Sequence, residues 1–272
     1  MLFEHEILRF NQIKGDFDIL KDAIVIEEVT NLYINGDLYA TFRHSPSQMR
    51  ELVIGHLLTE GIIDGVEDVS KIQFSGKNVY VELFREKSFK APEKHRLITT
   101  FCSGDELPPY IFKATQKLRF NRIVFSAEVI LKSVDILNSK ALIFRASGGT
   151  HAAALIDEKG ELMAFAEDIG RHNAVDKVVG EAAIRGVDFS RILLASTGRL
   201  TSEIVIKAIQ MGIPILVSIS APTNMGVKIA EAFGLTLIGF ARGKRFNIYT
   251  SPDRVKEWRK TLAKRNHVLP LS

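Results

Sequence analysis

Residues Arg191–Phe240 read RILLASTGRLTSEIVIKAIQMGIPILVSISAPTNMGVKIAEAFGLTLIGF. Three short, unbroken apolar runs punctuate this stretch: Arg191–Ala195, Pro214–Ser218 and Thr236–Phe240. Between them, apolar residues recur at helical spacing over Ser202–Met211 and Thr223–Phe233. A further helical pattern, Asn173–Arg185, precedes the first run. Continuous apolar strands alternating with helices predict parallel strands covered on both faces and joined by right-handed crossovers, an α/β arrangement.

Upstream, Ala152–Ile156 and Leu162–Ala166 read as a hairpin turning at Asp157–Gly160, which would make the sheet mixed. A helix from Ser126 to about Leu137 and a short apolar run, Leu142–Ala146, come before it. The first hundred residues are β-rich. Ala23–Val29 and Asn31–Ile34 are β-type runs, Asn35-Gly36 is a hairpin signal, and Leu38–His44 is the returning strand. Ser45-Pro46 predicts a helix start, with Gly61 as its C-terminal stop. Lys71–Phe74 and Val79–Phe84 form a second hairpin, and a strand over Arg96–Phe101 runs into Cys102. Pattern is poor from Pro108 to Arg122, so the chain divides into a smaller β-rich α+β domain, 1–115, and an α/β domain, 116–272.

Composition narrows the function classes. The chain has 272 residues, 46% hydrophobic and 25% charged, which excludes a disordered chain. Cys102 is the single cysteine, so neither an intrachain disulfide nor a cysteine-cluster metal site is available. No run approaches the length of a membrane span, and the start, MLFEHE, has no basic region of a signal peptide. A cytoplasmic protein is expected. The formal net charge is +4, yet Ala241–Ser272 alone carries nine basic residues against two acidic ones. Aromatic interleaving is sparse there, so a solvated helix face explains the tail better than nucleic-acid binding.

In open α/β sheets ligands bind beyond the carboxyl ends of the strands. The three strands run into Ser196-Thr197-Gly198-Arg199, into Ser218–Asn224, and into Ala241-Arg242-Gly243-Lys244-Arg245. These loops are small, hydroxylic or basic, and the first two open helices whose free N–H groups favour anions. Ser147-Gly148-Gly149-Thr150-His151 adds a glycine-rich turn. The set points to a phosphorylated ligand such as a nucleotide, although neither a P-loop nor a GxGxxG fingerprint is present.

Glu167-Asp168-Ile169-Gly170-Arg171-His172-Asn173 is the densest polar cluster and supports two readings. It is either an elaborate helix cap, with Asn173 at the cap and Asp176 in the first turn, or a site wall in which Arg171 and His172 face the crevice. His5, His44, His56 and His267 are assigned to structure or solvent. No HxE, HExxH, CxxC or GxSxG motif occurs, so a metal site and a serine-hydrolase elbow are not expected. Cys102 enters a small polar loop, Ser103-Gly104-Asp105, a setting compatible with thiolate chemistry.

These strings resemble the FdhD family of formate dehydrogenase accessory proteins. The resemblance is carried by Asn35-Gly36, Pro46, the run Leu52–Ile63, Gly148–Ala154, Glu167–Lys177, Ser196–Arg199 and Phe240–Asn247. It implies a cytidine-deaminase-like mixed sheet flanked by helices, with a smaller N-terminal domain. It implies a sulfurtransferase that takes sulfur as a persulfide from an IscS-type cysteine desulfurase. The sulfur would pass to the molybdenum bis-guanine-dinucleotide cofactor (or its tungsten counterpart) before insertion into formate dehydrogenase. The persulfide-bearing cysteine falls on Cys102. The cofactor-binding loop falls on Phe240, Ala241, Arg242, Gly243, Lys244 and Arg245, and Thr197, Gly198, Arg199, Gly149, His151, Arg171 and His172 complete the expected site. A homodimer is implied, with no membrane or nucleic-acid partner. Many family members carry Cys-x-x-Cys where this chain has Cys102-Ser103-Gly104-Asp105. That leaves a one-cysteine relay or, alternatively, a cofactor-binding chaperone without sulfur transfer. The zinc ligands usual in deaminases are absent from the sequence, which excludes deamination.

Overall fold

The computed structural model describes residues 1–84, 96–98, 118 and 121–268. The elements in chain order are β1 (Leu2–Asn11), β2 (Asp16–Val25), β3 (Glu28–Ile34), β4 (Asp37–His44), α1 (Met49–Thr59), β5 (Val69–Ser75), β6 (Asn78–Leu83) and β7 (Arg96–Ile98). There follow α2 (Ala127–Lys140), α3 (Leu142–Ser147), β8 (His151–Asp157), β9 (Leu162–Asp168), α4 (Arg171–Ile184), β10 (Ile192–Ser196), α5 (Ser202–Gln210), β11 (Ile215–Ser218), α6 (Asn224–Phe233), β12 (Thr236–Arg242), β13 (Arg245–Thr250) and α7 (Lys256–Val268).

The predicted α/β unit is a six-stranded sheet ordered β13-β12-β11-β10-β8-β9. β10, β11 and β12 are parallel, while the β8–β9 hairpin and β13 are antiparallel, so the sheet is mixed. Alternate side chains serve its two faces, as a pleat requires. Ala153, Leu155, Leu194, Leu216 and Leu237 pack with α1, α4, α5 and α6. Ala154, Ile156, Leu193, Val217 and Ile238 pack with α2.

A second, five-stranded sheet, β5-β6-β3-β4-β7, takes the N-terminal part of the chain. Its inward residues Leu32, Ile34, Phe42 and Val81 share one continuous core with α1, α4 and the six-stranded sheet. α1 and α4 cross with their backbones touching. A Cβ on Gly180 would lie 1.9 Å from the Glu51 carbonyl oxygen, and one on Gly55 1.7 Å from that of Asp176. Only glycine at both positions permits that approach. β1 and β2 form a separate two-stranded ribbon. Among the described residues, no helix is long and apolar enough to cross a membrane.

Several expectations change. The Ala23–Val29 run is split between β2 and β3, and β1 is an additional strand. The first helix starts at Met49 rather than at Ser45-Pro46, with Gln48 as a left-handed N-cap at φ 52°. The Leu142–Ala146 run is a short helix whose first N–H groups are capped from afar: Glu167 accepts from Ile143 N (3.1 Å) and Phe144 N (2.8 Å). α4 begins at Arg171 with Gly170 as N-cap, so Asn173 is not the cap and Asp176 lies past the first turn. Arg254, assigned to the solvated tail, is buried and donates to the carbonyls of Leu118 (2.6 Å) and Gly234 (2.7 Å). Its burial lowers its pKa from the usual arginine value. The Phe101 end of the β7 run, the Cys102 loop, most of the Pro108–Arg122 boundary and the division at 115/116 lie outside the described residues.

Candidate functional site

Topology brings the candidate residues to one edge. β8 runs antiparallel to β10, so its first residue, His151, sits beside the carboxyl end of β10. β9 is antiparallel to β8 and ends at Asp168, opposite His151. The start of α4 therefore reaches the same edge. Thr197 joins the two strand ends: its N–H donates to the Ala152 carbonyl (3.0 Å) and its Oγ1 accepts from Ala152 N (2.9 Å). His151 Nδ1 lies 3.2 Å from the same hydroxyl.

The hydroxyls expected to meet a ligand bond the loops to one another. Ser196 Oγ accepts from Gly198 N (3.1 Å). Ser218 Oγ donates to the Gly198 carbonyl (2.7 Å) and accepts from Ser220 N (3.0 Å). Phe240 N donates to the Ser220 carbonyl (3.1 Å). Thr223 Oγ1 accepts from Gly226 N (3.1 Å) as the N-cap of α6. The three strand-end loops thus form one hydrogen-bonded rim, and cationic side chains stand beside it.

Those cations form two groups. The first contains Arg171, Arg199 and His172 around His151. Arg171 is buried in the first turn of α4, and its aliphatic stem lies where a Cβ on Gly198 would be, 2.8 Å from Arg171 Cβ. Arg199 is exposed. His172 Nε2 lies 3.2 Å from the Glu203 carboxylate of α5. Burial pushes the His151 pKa below its usual value, and Arg171, Arg199 and His172 push it further. Two guanidinium groups beside a ring whose protonation is disfavoured suit a phosphate, which charge-assisted hydrogen bonds favour.

The second group is the β12–β13 turn. Arg242, Gly243, Lys244 and Arg245 are exposed, with Gly243 at φ 58°. Phe240 also has positive φ, 53°, at an irregularity in the β12–β13 register. A left-handed phenylalanine stores about 1–2 kcal/mol of strain, a cost that concentrates at functional sites. The irregularity turns the Ala241 side chain into the core, and the residue is fully buried. The Arg242 guanidinium lies over the Phe240 ring, 6.0 Å from its centroid. Three inter-strand steps separate β12 from β8, so the two cationic groups lie roughly 14 Å apart across the rim. Gly149 has a packing reason, because a Cβ there would lie 2.7 Å from Val25 Cγ1 at the base of β2.

The Glu167–Lys177 string is mostly the lock behind this site. Asp168 and Lys177 form a fully buried ion pair at 2.6 Å. Asp168 also accepts from Ser45 N (3.0 Å), Gly170 N (2.8 Å) and Asn173 Nδ2 (2.9 Å). Ser45 Oγ accepts from Ile169 N, and Asn173 Nδ2 donates to the Arg43 carbonyl. In the second turn of α4, Asp176 binds Lys207 of α5 (2.9 Å), Thr59 Oγ1 (2.8 Å) and His56 Nδ1 (3.1 Å). Burial alone would raise the Asp176 pKa, but Lys207 and His56 hold it at about 2. Lys207 is raised in turn by Asp176 and Glu60 against its own burial. The cap reading does not hold, since Gly170 takes the cap position, and the neighbours of Arg171 and His172 instead fasten the start of α4 to distant elements. His44 and His56 are structural, as expected; His44 Nε2 meets Thr30 Oγ1 at 2.8 Å. Local sequence gave no signal for Ser45, Lys177 or Lys207, whose partners lie on distant elements.

Comparison with known proteins agrees with this architecture. Residues 25–256 match the FdhD/NarQ family. A protein named sulfur carrier protein FdhD from Sulfurisphaera tokodaii is 38% identical over 249 residues, covering 90% of this chain and 96% of the relative. Proteins of the same name from Wolinella succinogenes and Bacillus subtilis are 35% and 32% identical, covering 89% and 93% of this chain and 86% and 97% of theirs. A crystal structure from Desulfotalea psychrophila, described as a candidate formate dehydrogenase accessory protein, shares the fold at a TM-score of 0.75 and 22% identity, covering 93% of this chain and 99% of that one. With the family match running from the end of β2 to the start of α7, the chain belongs to the FdhD/NarQ family.

Proposed function

We propose that the chain is a sulfur carrier for formate dehydrogenase. It would accept sulfur from a cysteine desulfurase and deliver it to a molybdenum bis-guanine-dinucleotide cofactor held as cargo. The observation that carries this reading is the strand-end rim with its two cationic groups. Their separation of roughly 14 Å suits an elongated, multiply phosphorylated ligand better than a single phosphate. Arg171, Arg199 and His151 would take one charged end, and Arg242, Lys244 and Arg245 the other. The strand order, with an antiparallel hairpin beside three parallel strands, is read as deaminase-like, and the protein as a cytoplasmic two-fold assembly.

The chemistry assigned to Cys102 is thiol–persulfide exchange. The Cys102 thiolate attacks the outer sulfur of the donor persulfide. A new S–S bond forms as the donor S–S bond breaks, and the donor leaves as its thiolate, so the step involves no net oxidation. Asp105, at the position where many family members carry a second thiol, keeps one alternative in view: a cofactor-binding chaperone without sulfur transfer. Incubation with a cysteine desulfurase and cysteine, followed by mass spectrometry, should find one added sulfur on Cys102. A Cys102→Ala variant should fail to restore formate dehydrogenase activity in a strain lacking the endogenous gene. Full restoration would refute the persulfide role. Guanine-nucleotide binding without sulfur labelling would favour the chaperone.

A further inference from the structure

The β1–β2 ribbon pairs with neither larger sheet, and an uncovered two-stranded hairpin is marginal in water. Its register sets Leu8 opposite Ile19 and Phe10 opposite Phe17, so these four side chains share one face of the distal half. The two phenylalanine rings touch, with centroids 5.2 Å apart. Leu8, Phe10, Phe17 and Ile19 are nonetheless 69%, 55%, 59% and 66% exposed. The next row toward the base on the same face is Glu6 opposite Lys21. The reverse face is polar toward the tip, with Arg9 opposite Asp18 and Asn11 opposite Asp16, and its apolar pair Ile7 opposite Leu20 is partly buried. Scattered apolar residues on a surface are ordinary, but four in one exposed block on a ribbon that joins neither larger sheet are not. The family match begins only at residue 25, where the ribbon ends.

We propose that this face is a dimer contact, covered by the same face of a second copy. A two-fold axis running along the ribbon lays β1 over β2 of the partner. Leu8 then meets the partner's Ile19, Phe10 meets the partner's Phe17, and Glu6 meets the partner's Lys21. Every row is complementary to its own image, which an isologous contact requires. The four apolar side chains expose roughly 500 Å² per copy, so two copies bury about 1,000 Å², the lower bound for a specific interface. The flanking Glu6–Lys21 row adds to that area. The inference rests on the two-fold assembly in the functional reading above. Its test involves no sulfur chemistry, so failure of one is distinguishable from failure of the other.

Sedimentation equilibrium of the full chain across the micromolar range should show a dimer. Leu8→Lys or Ile19→Lys should weaken it by about thirtyfold or more, as removal of a central anchor does. Phe3→Lys, on the reverse face, should leave it unchanged. Glu6→Lys and Lys21→Glu should each sediment as monomers alone and form a mixed dimer when combined, which also shows that both variants fold. Monomeric wild-type protein would overturn the proposal. So would an intact dimer in Leu8→Lys, equal weakening by Phe3→Lys, or failure of the two charge variants to pair.

Discussion

Replacing Lys207 with Met tests the ion-pair network that fastens α4 to α1 and α5. Lys207 Nζ lies 2.9 and 3.0 Å from the two Asp176 oxygens, 2.9 Å from Thr59 Oγ1 and 3.2 Å from Glu60. Both charges of the central pair are almost wholly buried. Removing one partner of such a pair costs about 3–5 kcal/mol, because the other charge stays buried and uncompensated. Thr59 and His56 still reach Asp176, so a loss near about 3 kcal/mol is expected. The pH dependence gives a second readout. In the wild type, the Asp176 pKa falls from 3.8 to about 2. This depressed value contributes about 2 kcal/mol above the unfolded pKa, lost as pH falls toward the folded one. Without Lys207 the strongest opposition to burial is lost and the folded pKa rises from about 2. The variant then loses less stability than the wild type on acidification, so its deficit should shrink as pH falls from 7 to 4. Urea unfolding followed by far-UV circular dichroism at both pH values measures this. A deficit below about 1 kcal/mol at pH 7, or one that grows toward pH 4, would refute the reasoning.

Gly180→Ala should lower stability by about 2–3 kcal/mol in a thermal melt, although helix propensity alone favours alanine, because the new Cβ would meet the Glu51 carbonyl at the α1–α4 crossing. Arg199→Gln should move the His151 titration up toward the usual histidine value, read by NMR, since Arg199 is among the cations that lower it. Stability should change by less than about 0.5 kcal/mol, because Arg199 is exposed.

The parallel core was legible because β10, β11 and β12 are covered on both faces and so read as unbroken apolar runs. β1 was not, because an uncovered ribbon need not alternate: Phe3, Leu8 and Phe10 stand exposed on its two faces. Ser45-Pro46 carried a helix-start signature, but Ser45 is held by Asp168 and Ile169 instead. Asn173 looked like a cap for a similar reason; its amide is committed to Arg43 and Asp168. The hydroxyls of the strand-end loops tie neighbouring elements together, through partners too distant in the chain to be read locally. Arg171 and the basic turn at Arg242–Arg245 were legible as cations at strand ends.

The tie between Ser45 and the Asp168–Lys177 pair also bears on how the molecule melts. Ser45 follows β4 of the N-terminal sheet, and Asp168 ends β9 in the six-stranded sheet. Opening either sheet alone would strip a buried carboxylate of a donor and expose the apolar layer shared through α1. Local opening is therefore nearly as costly as global unfolding, and the amides of Ser45, Ile169 and Gly170 belong to one cooperative unit. The two larger sheets, though separate in strand pairing, should therefore be lost in a single transition.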